Sequence, residues 1–416
     1  MSKTVVLVGS LDTKGAEFAF VKELIEQEGL ETLVVDFGVI GEPSFMPDIG
    51  REEVAEAGGG DITYLSSGDH KDEAMQVMAA GLAVVMRKLY EDGRLDGVLG
   101  MGGSGNTSIA TSGMRTLPVG VPKLMVSTLG GGDVSAYTAT SDIAFMPSVV
   151  DVAGINSISR RIYANAAGAI AGMVKIDLPA VEEKPLIAAS MFGNTTEAVG
   201  RARELLEDEG YEVLVFHAVG TGGRTMENLI SDGYIVGSFD ITTTELADLV
   251  CGGVLSAGPD RCRAASRTGV PAILVPGCVD MANFRGIETV PDKYQGRNLY
   301  KWNPDVTLMR TNADENREIG EIIAAAANEA TGPVAIVLPL KGVSMLDSAG
   351  QRFWDREADE ACYTAIKVNL REDIPVYEMD HNINDPQFAD RCVELLLEMI
   401  RTLLSTGGRV HQLLVQ

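Results

Sequence analysis

The residues most able to do chemistry lie in VLGMGGSGNTSIATSG, positions 98–113. Gly100, Gly102 and Gly105 satisfy the G-x-G-x-x-G spacing of a dinucleotide turn, and Gly100 to Thr107 also carry the G-x-x-x-x-G-x-T spacing of a phosphate loop. Each pattern fails at one position. A dinucleotide turn calls for an acidic residue at the end of the next strand to hold a ribose, but KLMVST (123–128) ends in Ser127 and Thr128. A phosphate loop calls for Lys where Asn106 stands. What survives is a run of small residues, Gly102, Gly103, Ser104, Gly105, Asn106 and Thr107, whose main-chain N–H groups can surround an anion at a helix start.

Other loops supply groups that would complete such a site. GSLDTKG (9–15) offers Asp12 for Mg²⁺, mostly through phosphate and water. It also offers Thr13 for a phosphate oxygen and Lys14 for the cation missing at position 106; a plainer use of Asp12 or Thr13 is to cap the following helix. STLGGGD (127–133) adds Thr128, Gly130 and Gly131, while Asp142 and Asp151 read as caps. Further along, SAGPDRCRAA (256–265) carries Arg261 and Arg263, suited either to an anionic ligand or to internal salt bridges. Cys278 has no His near it in sequence and reads as a small buried thiol. PLKGVSMLD (339–347) follows a strand and presents Lys341, Ser344 and Asp347, so that Lys14, Lys341 and Asp347 are the catalytic candidates.

These loops need strands and helices to hold them. TVVLVG (4–9), TLVVDF (32–37), GVLGMG (97–102), KLMVST and IAFMPS (143–148) are short apolar runs; the amphipathic AEFAFVKELIEQEG (16–29) and DEAMQVMAAGLAVVMRKLYEDG (72–93) separate the earlier ones. Continuous apolar strands alternating with helices predict a parallel sheet covered on both faces, with Gly29 and Gly93 closing the helices. The pattern then restarts. KELIEQEGLETLVV (22–35) aligns with RELLEDEGYEVLVF (203–216), GVLGMGG (97–103) with GVLSAGP (253–259), and VPKLMVS (121–127) with VPAILVP (270–276). The expectation is an α/β chain of two Rossmann-like doubly wound parallel-sheet domains produced by internal duplication. They span 1–180 and 181–416 and are joined through DLPAVEEKP (177–185). The Ala- and Gly-rich stretch 152–175 is expected to be a helix packed in the core, with a two-fold interface as the other use of its small residues.

Composition narrows the functions. A formal charge of −25 over 416 residues, with no basic tract, disfavours nucleic acid and anionic membranes as partners. No apolar run reaches the roughly 18 residues of a membrane span. The five cysteines, at 251, 262, 278, 362 and 392, form no C-x-x-C, which predicts a reduced, cytoplasmic setting. The four histidines, at 70, 217, 381 and 411, show no metal-binding spacing.

GSLDTKG, GMGGSGNTS (100–108), TATSDIAFMPSVVDVAGIN (138–156) and AAGAIAGMV (166–174) together resemble the ATP-binding inhibitory domain of the tomato mosaic virus resistance protein and its uncharacterised bacterial and archaeal relatives. The resemblance continues through DMANF (280–284), NPDVTLMRTNADEN (303–316) and GVSMLDSAGQRFWD (342–355). It implies ATP with Mg²⁺, two Rossmann-like subdomains and a homodimer. It also implies a TIM-barrel partner, which in the plant protein follows on the same chain. The function so expected is ATP/Mg²⁺ binding in small-molecule metabolism, with a second small anionic ligand in the interdomain cleft. Phosphoryl-transfer or ligase chemistry is one use of such a site. A non-catalytic nucleotide-responsive subunit and an NAD-dependent oxidoreductase are the alternatives.

Overall fold

A computed structural model describes residues 2–68, 70–179 and 184–405, so part of the 177–185 link, and His411, lie outside the described residues. The chain divides into two compact units, Met1–Ala180 and Val181–Gln416.

The first unit runs β1 (Thr4–Gly9), α1 (Leu11–Gln27), β2 (Glu31–Asp36), α2 (Arg51–Ala57), α3 (Ile62–Leu65), α4 (Lys71–Glu91) and β3 (Gly97–Gly102). It continues with α5 (Ser104–Met114), β4 (Lys123–Ser127), α6 (Ser135–Thr138), β5 (Ala144–Pro147) and α7 (Ser159–Lys175). Its five strands are parallel in the order β2-β1-β3-β4-β5. Successive side chains of a strand point to opposite faces, and the sequence fills both. Val6 and Val8 pack with Met78, Met86, Ile109 and Met114 of α4 and α5, whereas Val5 and Leu7 pack with Phe18, Ile25, Tyr163 and Ile170 of α1 and α7. Gly29 (φ 80°) and Gly93 (φ 67°) adopt the left-handed conformation expected just past α1 and α4. The stretch 152–175 is helical only from Ser159; Ala166, Ala167, Ile170 and Ala171 are buried in the unit's own core.

The second unit runs β6 (Leu186–Met191), α8 (Thr196–Asp208), β7 (Glu212–His217), α9 (Thr221–Ser231), β8 (Ile235–Asp240), α10 (Thr244–Cys251), α11 (Ala264–Thr268) and β9 (Ala272–Leu274). β10 (Met281–Phe284), β11 (Leu299–Asn303) and β12 (Val306–Arg310) follow, then α12 (Ala313–Asn328), β13 (Val334–Pro339), α13 (Arg356–Asn369), β14 (Val376–Met379) and α14 (Pro386–Ser405). The main sheet is parallel in the order β7-β6-β8-β9-β13-β14, and β10, β12 and β11 form a separate antiparallel sheet. Numbered within each main sheet, the first reads 2-1-3-4-5 and the second 2-1-3-4-5-6 with β10 to β12 inserted between its fourth and fifth strands, which supports the duplication inferred from the sequence. One strand pairing in that inference is wrong. GVLSAGP (253–259) forms turns, and the third strand of the second unit is β8, hidden in sequence because Gly237 and Ser238 interrupt its apolar run. A Cβ on Gly237 would meet Ile400 Cδ1 at 2.8 Å, so close packing of α14 demands the residue that obscures the strand.

Candidate functional site

In an open sheet of order 2-1-3-4-5, the crevice for a ligand lies beyond the carboxyl ends of strands 1 and 3, where consecutive connections leave for opposite faces. β1 feeds α1 and β3 feeds α5, and these helices pack on opposite faces. The two loops are laced together: Ser10 Oγ donates to Asn106 Oδ1 at 3.0 Å, and Asn106 Nδ2 lies 2.8 Å from Ser10 Oγ. Gly102 permits the turn. Its φ is 154°, and a Cβ there would sit 2.4 Å from Asn106 Cβ. α5 then starts at Ser104 with no side-chain cap, and its first intrahelical bond is Thr107 N–H to Gly103 O at 2.9 Å. Among the described residues the amides of Ser104, Gly105 and Asn106 have no partner. Three free N–H groups at the positive end of an 11-residue helix have the geometry of an anion cradle.

The side chains expected to join that cradle mostly do other work. Asn106 braces the β1 loop and also donates to Met101 O at 3.3 Å. Thr107 is fully buried, with its hydroxyl 2.8 Å from both Gly103 O and Ser127 Oγ, so it ties α5 to β4 and does not face a ligand. Asp12 caps nothing on α1; its Oδ2 accepts from the amides of Ile40 (2.9 Å) and Gly41 (3.0 Å), fastening the loop after β2, while Oδ1 is buried without a partner. Lys14 donates to the carbonyl of Val152 and does not line the cavity described next. Thr13 is exposed, its Oγ1 3.1 Å from Ser10 Oγ. Thr128 is exposed and donates its amide to Gly102 O at 3.2 Å; Gly130 is packed against β5, and Gly131 faces open space. Asp142 is no cap but the partner of the fully buried Lys123, at 2.6 Å.

Beside the cradle lies a cavity of about 380 Å³. Phe37, Leu65, Met75, Met78 and Ile109 give it apolar walls, and Ser10, Asp12, Thr13, Asn106 and Lys71 give it polar ones. Sequence reasoning placed Ser10's loop and Asn106 here but missed the loop after β2 and the first two turns of α4. The signal was available: the end of β2 shares the sheet edge with β1, and Met75 and Met78 sit one helical turn apart. Among the described residues, no group of three His, Cys, Asp or Glu is placed to hold a metal ion.

The description "Uncharacterised protein family (UPF0261) N-terminal domain" matches residues 3–179, and the C-terminal domain of the same family matches residues 184–400. The chain belongs to the UPF0261 family. A UPF0261 protein of Clostridium tetani is 49% identical over 402 residues, covering 96% of this chain and 100% of that protein. One from Rhizobium meliloti is 44% identical over 393 residues, covering 94% and 98%. The tomato ToMV resistance protein Tm-1(GCR237) is 39% identical over 348 residues, which bears out the resemblance read from the sequence. That match covers 82% of this chain and 46% of the tomato protein, so the chain corresponds to about half of it.

In this UPF0261 chain the matching edge of the second unit is closed. Thr195 Oγ1 lies 2.8 Å from Thr242 Oγ1, the counterpart of the Ser10–Asn106 lacing, but the space beyond is filled by the unit's own charges. Arg261 is buried, forked onto Asp240 at 2.5 and 2.7 Å and bonded to Glu245 at 2.5 Å and Glu227 at 3.1 Å. Glu245 in turn accepts the amides of Gly220 (2.6 Å) and Gly223 (3.1 Å) at the start of α9, the helix that follows the second strand of the unit. Arg263 is paired with Glu329. Both arginines are therefore internal partners, not free ligand contacts. Lys341 makes an exposed pair with Asp380 at 2.8 Å, where solvent screens the attraction. Asp347 is fully buried, accepting from Val343 N–H at 2.9 Å. The two catalytic candidates thus have separate surroundings, one at the surface and one inside. Around Asp347 lie Asp280, Asp359 and Arg310: burial pushes Asp280 up to about 7 and Asp359 up to about 8, and raises Asp347. Cys278 is completely buried, which lifts its thiol well above the usual range and leaves it without nucleophilic character.

Proposed function

We propose that the first unit binds a nucleoside triphosphate, ATP with Mg²⁺, holding the phosphates on the amides of residues 104–106 and the base in the adjoining apolar cavity. One observation carries this reading: the uncapped start of α5 opens at the β1/β3 switch beside a cavity of about 380 Å³ with apolar walls. That volume falls within the range of roughly 300–1,000 Å³ common for small-molecule sites. Backbone amides suit a protein of net charge −25, because they attract phosphate without a basic patch. Mg²⁺ keeps several waters and is content with one or two carboxylates, so it would arrive with the phosphates, and the unpartnered Oδ1 of Asp12 is the acceptor at hand.

The proposal is confined to the first unit, since the equivalent edge of the second is filled. Lys14, Lys341 and Asp347 are each engaged within the protein, which favours a nucleotide-responsive binding role over phosphoryl transfer. The homodimer, a separate TIM-barrel partner and a cytoplasmic setting belong to the same proposal. All five cysteines are free, as a reducing compartment allows, and among the described residues no helix is long and apolar enough to cross a membrane. Calorimetric titration with ATP, ADP and NAD, each with and without Mg²⁺, tests the assignment. Saturable ATP binding strengthened by Mg²⁺ is expected; a preference for NAD would overturn it.

A further inference from the structure

The sequence lacks the cation of a phosphate loop at position 106, and the substitute proposed from sequence, Lys14, is turned to Val152. The cavity itself supplies another. Lys71 is its only Lys or Arg, is exposed, and has no hydrogen bond or ion pair among the described residues. Arg51, on the helix after β2, is already engaged with Gly41, Glu42 and Glu52. A free ammonium at the rim of a cavity, in a chain carrying 59 acidic residues, has no internal purpose there.

Position along α4 says what it would meet. Lys71 is exposed, Met75 half-buried and Met78 fully buried, and all three line the cavity, so the helix runs from a charged mouth to an apolar floor. A nucleoside seated on the floor directs its phosphates toward the mouth. The first intrahelical bond of α4 is Ala74 N–H to His70 O at 2.8 Å, so among the described residues the Lys71, Asp72 and Glu73 amides are free at the same end of the 21-residue helix, beside the exposed Asp72 and Glu73 carboxylates, and Lys71 is the cation of that turn.

We infer that Lys71 is the charged contact for the outermost phosphate of the bound nucleotide, in the role a phosphate-loop lysine fills elsewhere in sequence. This rests on the nucleotide reading of the first unit. The test is titration of ATP, AMP and adenosine into the wild-type protein, Lys71→Ala and Lys71→Arg. Because Lys71 is exposed and unbonded, both variants should keep the wild-type circular dichroism and thermal midpoint. Lys71→Ala should weaken ATP about tenfold, the order of one charge-assisted hydrogen bond. It should leave adenosine unchanged, and Lys71→Arg should recover most of the loss. ATP binding to Lys71→Ala at wild-type strength would overturn the assignment while leaving the nucleotide site standing, and so would equal losses for ATP and adenosine. A wild-type protein that binds none of the three would remove the nucleotide reading and this inference together.

Discussion

Gly102 shows how a single residue decides whether the cradle exists. Any side chain there must adopt a backbone conformation that L-residues rarely accept and must displace Asn106, whose amide laces the two loops. Gly102→Ala should therefore weaken ATP at least tenfold, about 1.4 kcal/mol, in the titration described above. Unchanged affinity would mean the loop tolerates remodelling and does not grip the ligand. At this scale the sequence was a partial guide. Spacing located the glycines, because backbone geometry leaves few alternatives, although the helix expected to open at Thr107 starts three residues earlier, at Ser104. It did not foresee the partners of Thr107 and Lys14 and left Arg261 open between a ligand and internal salt bridges, because a polar residue's task depends on which partner the fold brings to it. For Arg261 those partners are Asp240, Glu245 and Glu227, one of them 34 positions away.

Among elements, α4, which lines the cavity with its first turns, is fixed further along by close packing on α2. A Cβ on Gly81 would lie 1.8 Å from Val54 O, and one on Gly58 would lie 2.1 Å from Val77 O, so the two backbones meet without side chains between them. Helix propensity alone predicts that Gly→Ala stabilises a helix by about 1 kcal/mol. Gly81→Ala should do the opposite, costing about 1–3 kcal/mol through overpacking. Gly168→Ala, in α7 with open space around it, should follow propensity. Urea unfolding midpoints of the two variants decide the matter: a stabilised Gly81→Ala would show that the close approach is not tight. Elements with uninterrupted apolar runs, such as β1 and β9, were legible in sequence. β12, begun at Val306, was legible too; β8, β10 and β11 were not, since glycine at a packing contact interrupts β8, β10 is only four residues long and β11 is half-exposed.

For the whole molecule, the buried carboxylates of the second unit set a pH dependence. Asp280, Asp347 and Asp359 surround Arg310, Ser344 donates to Asp280 at 2.8 Å, and Cys278 lies close enough to feel the charge. One guanidinium faces three acids, and burial raises all three above ordinary carboxylate values. A carboxyl whose folded-state pKa is raised contributes stability that is complete below its unfolded pKa and lost as pH climbs through the folded one. With Asp280 at about 7 and Asp359 at about 8 in the folded protein, against about 4 for an unfolded carboxyl, the thermal midpoint should fall from about pH 4 to about pH 8 and level off above it. Ordinary surface acids are fully ionised by about pH 6, so the fall between about pH 6 and about pH 8 belongs to the cluster. Asp280→Asn should flatten it, and a flat profile in the wild type would refute the cause.

Two copies of one scaffold ordinarily suggest two equivalents of ligand. Glu245 contradicts that arithmetic, because by holding Arg261 against Asp240 it keeps the crevice of the second copy filled with the unit's own charges. The binding isotherm should consequently saturate at a single nucleotide per polypeptide, and a stoichiometry of two would mean that this internal carboxylate yields its place.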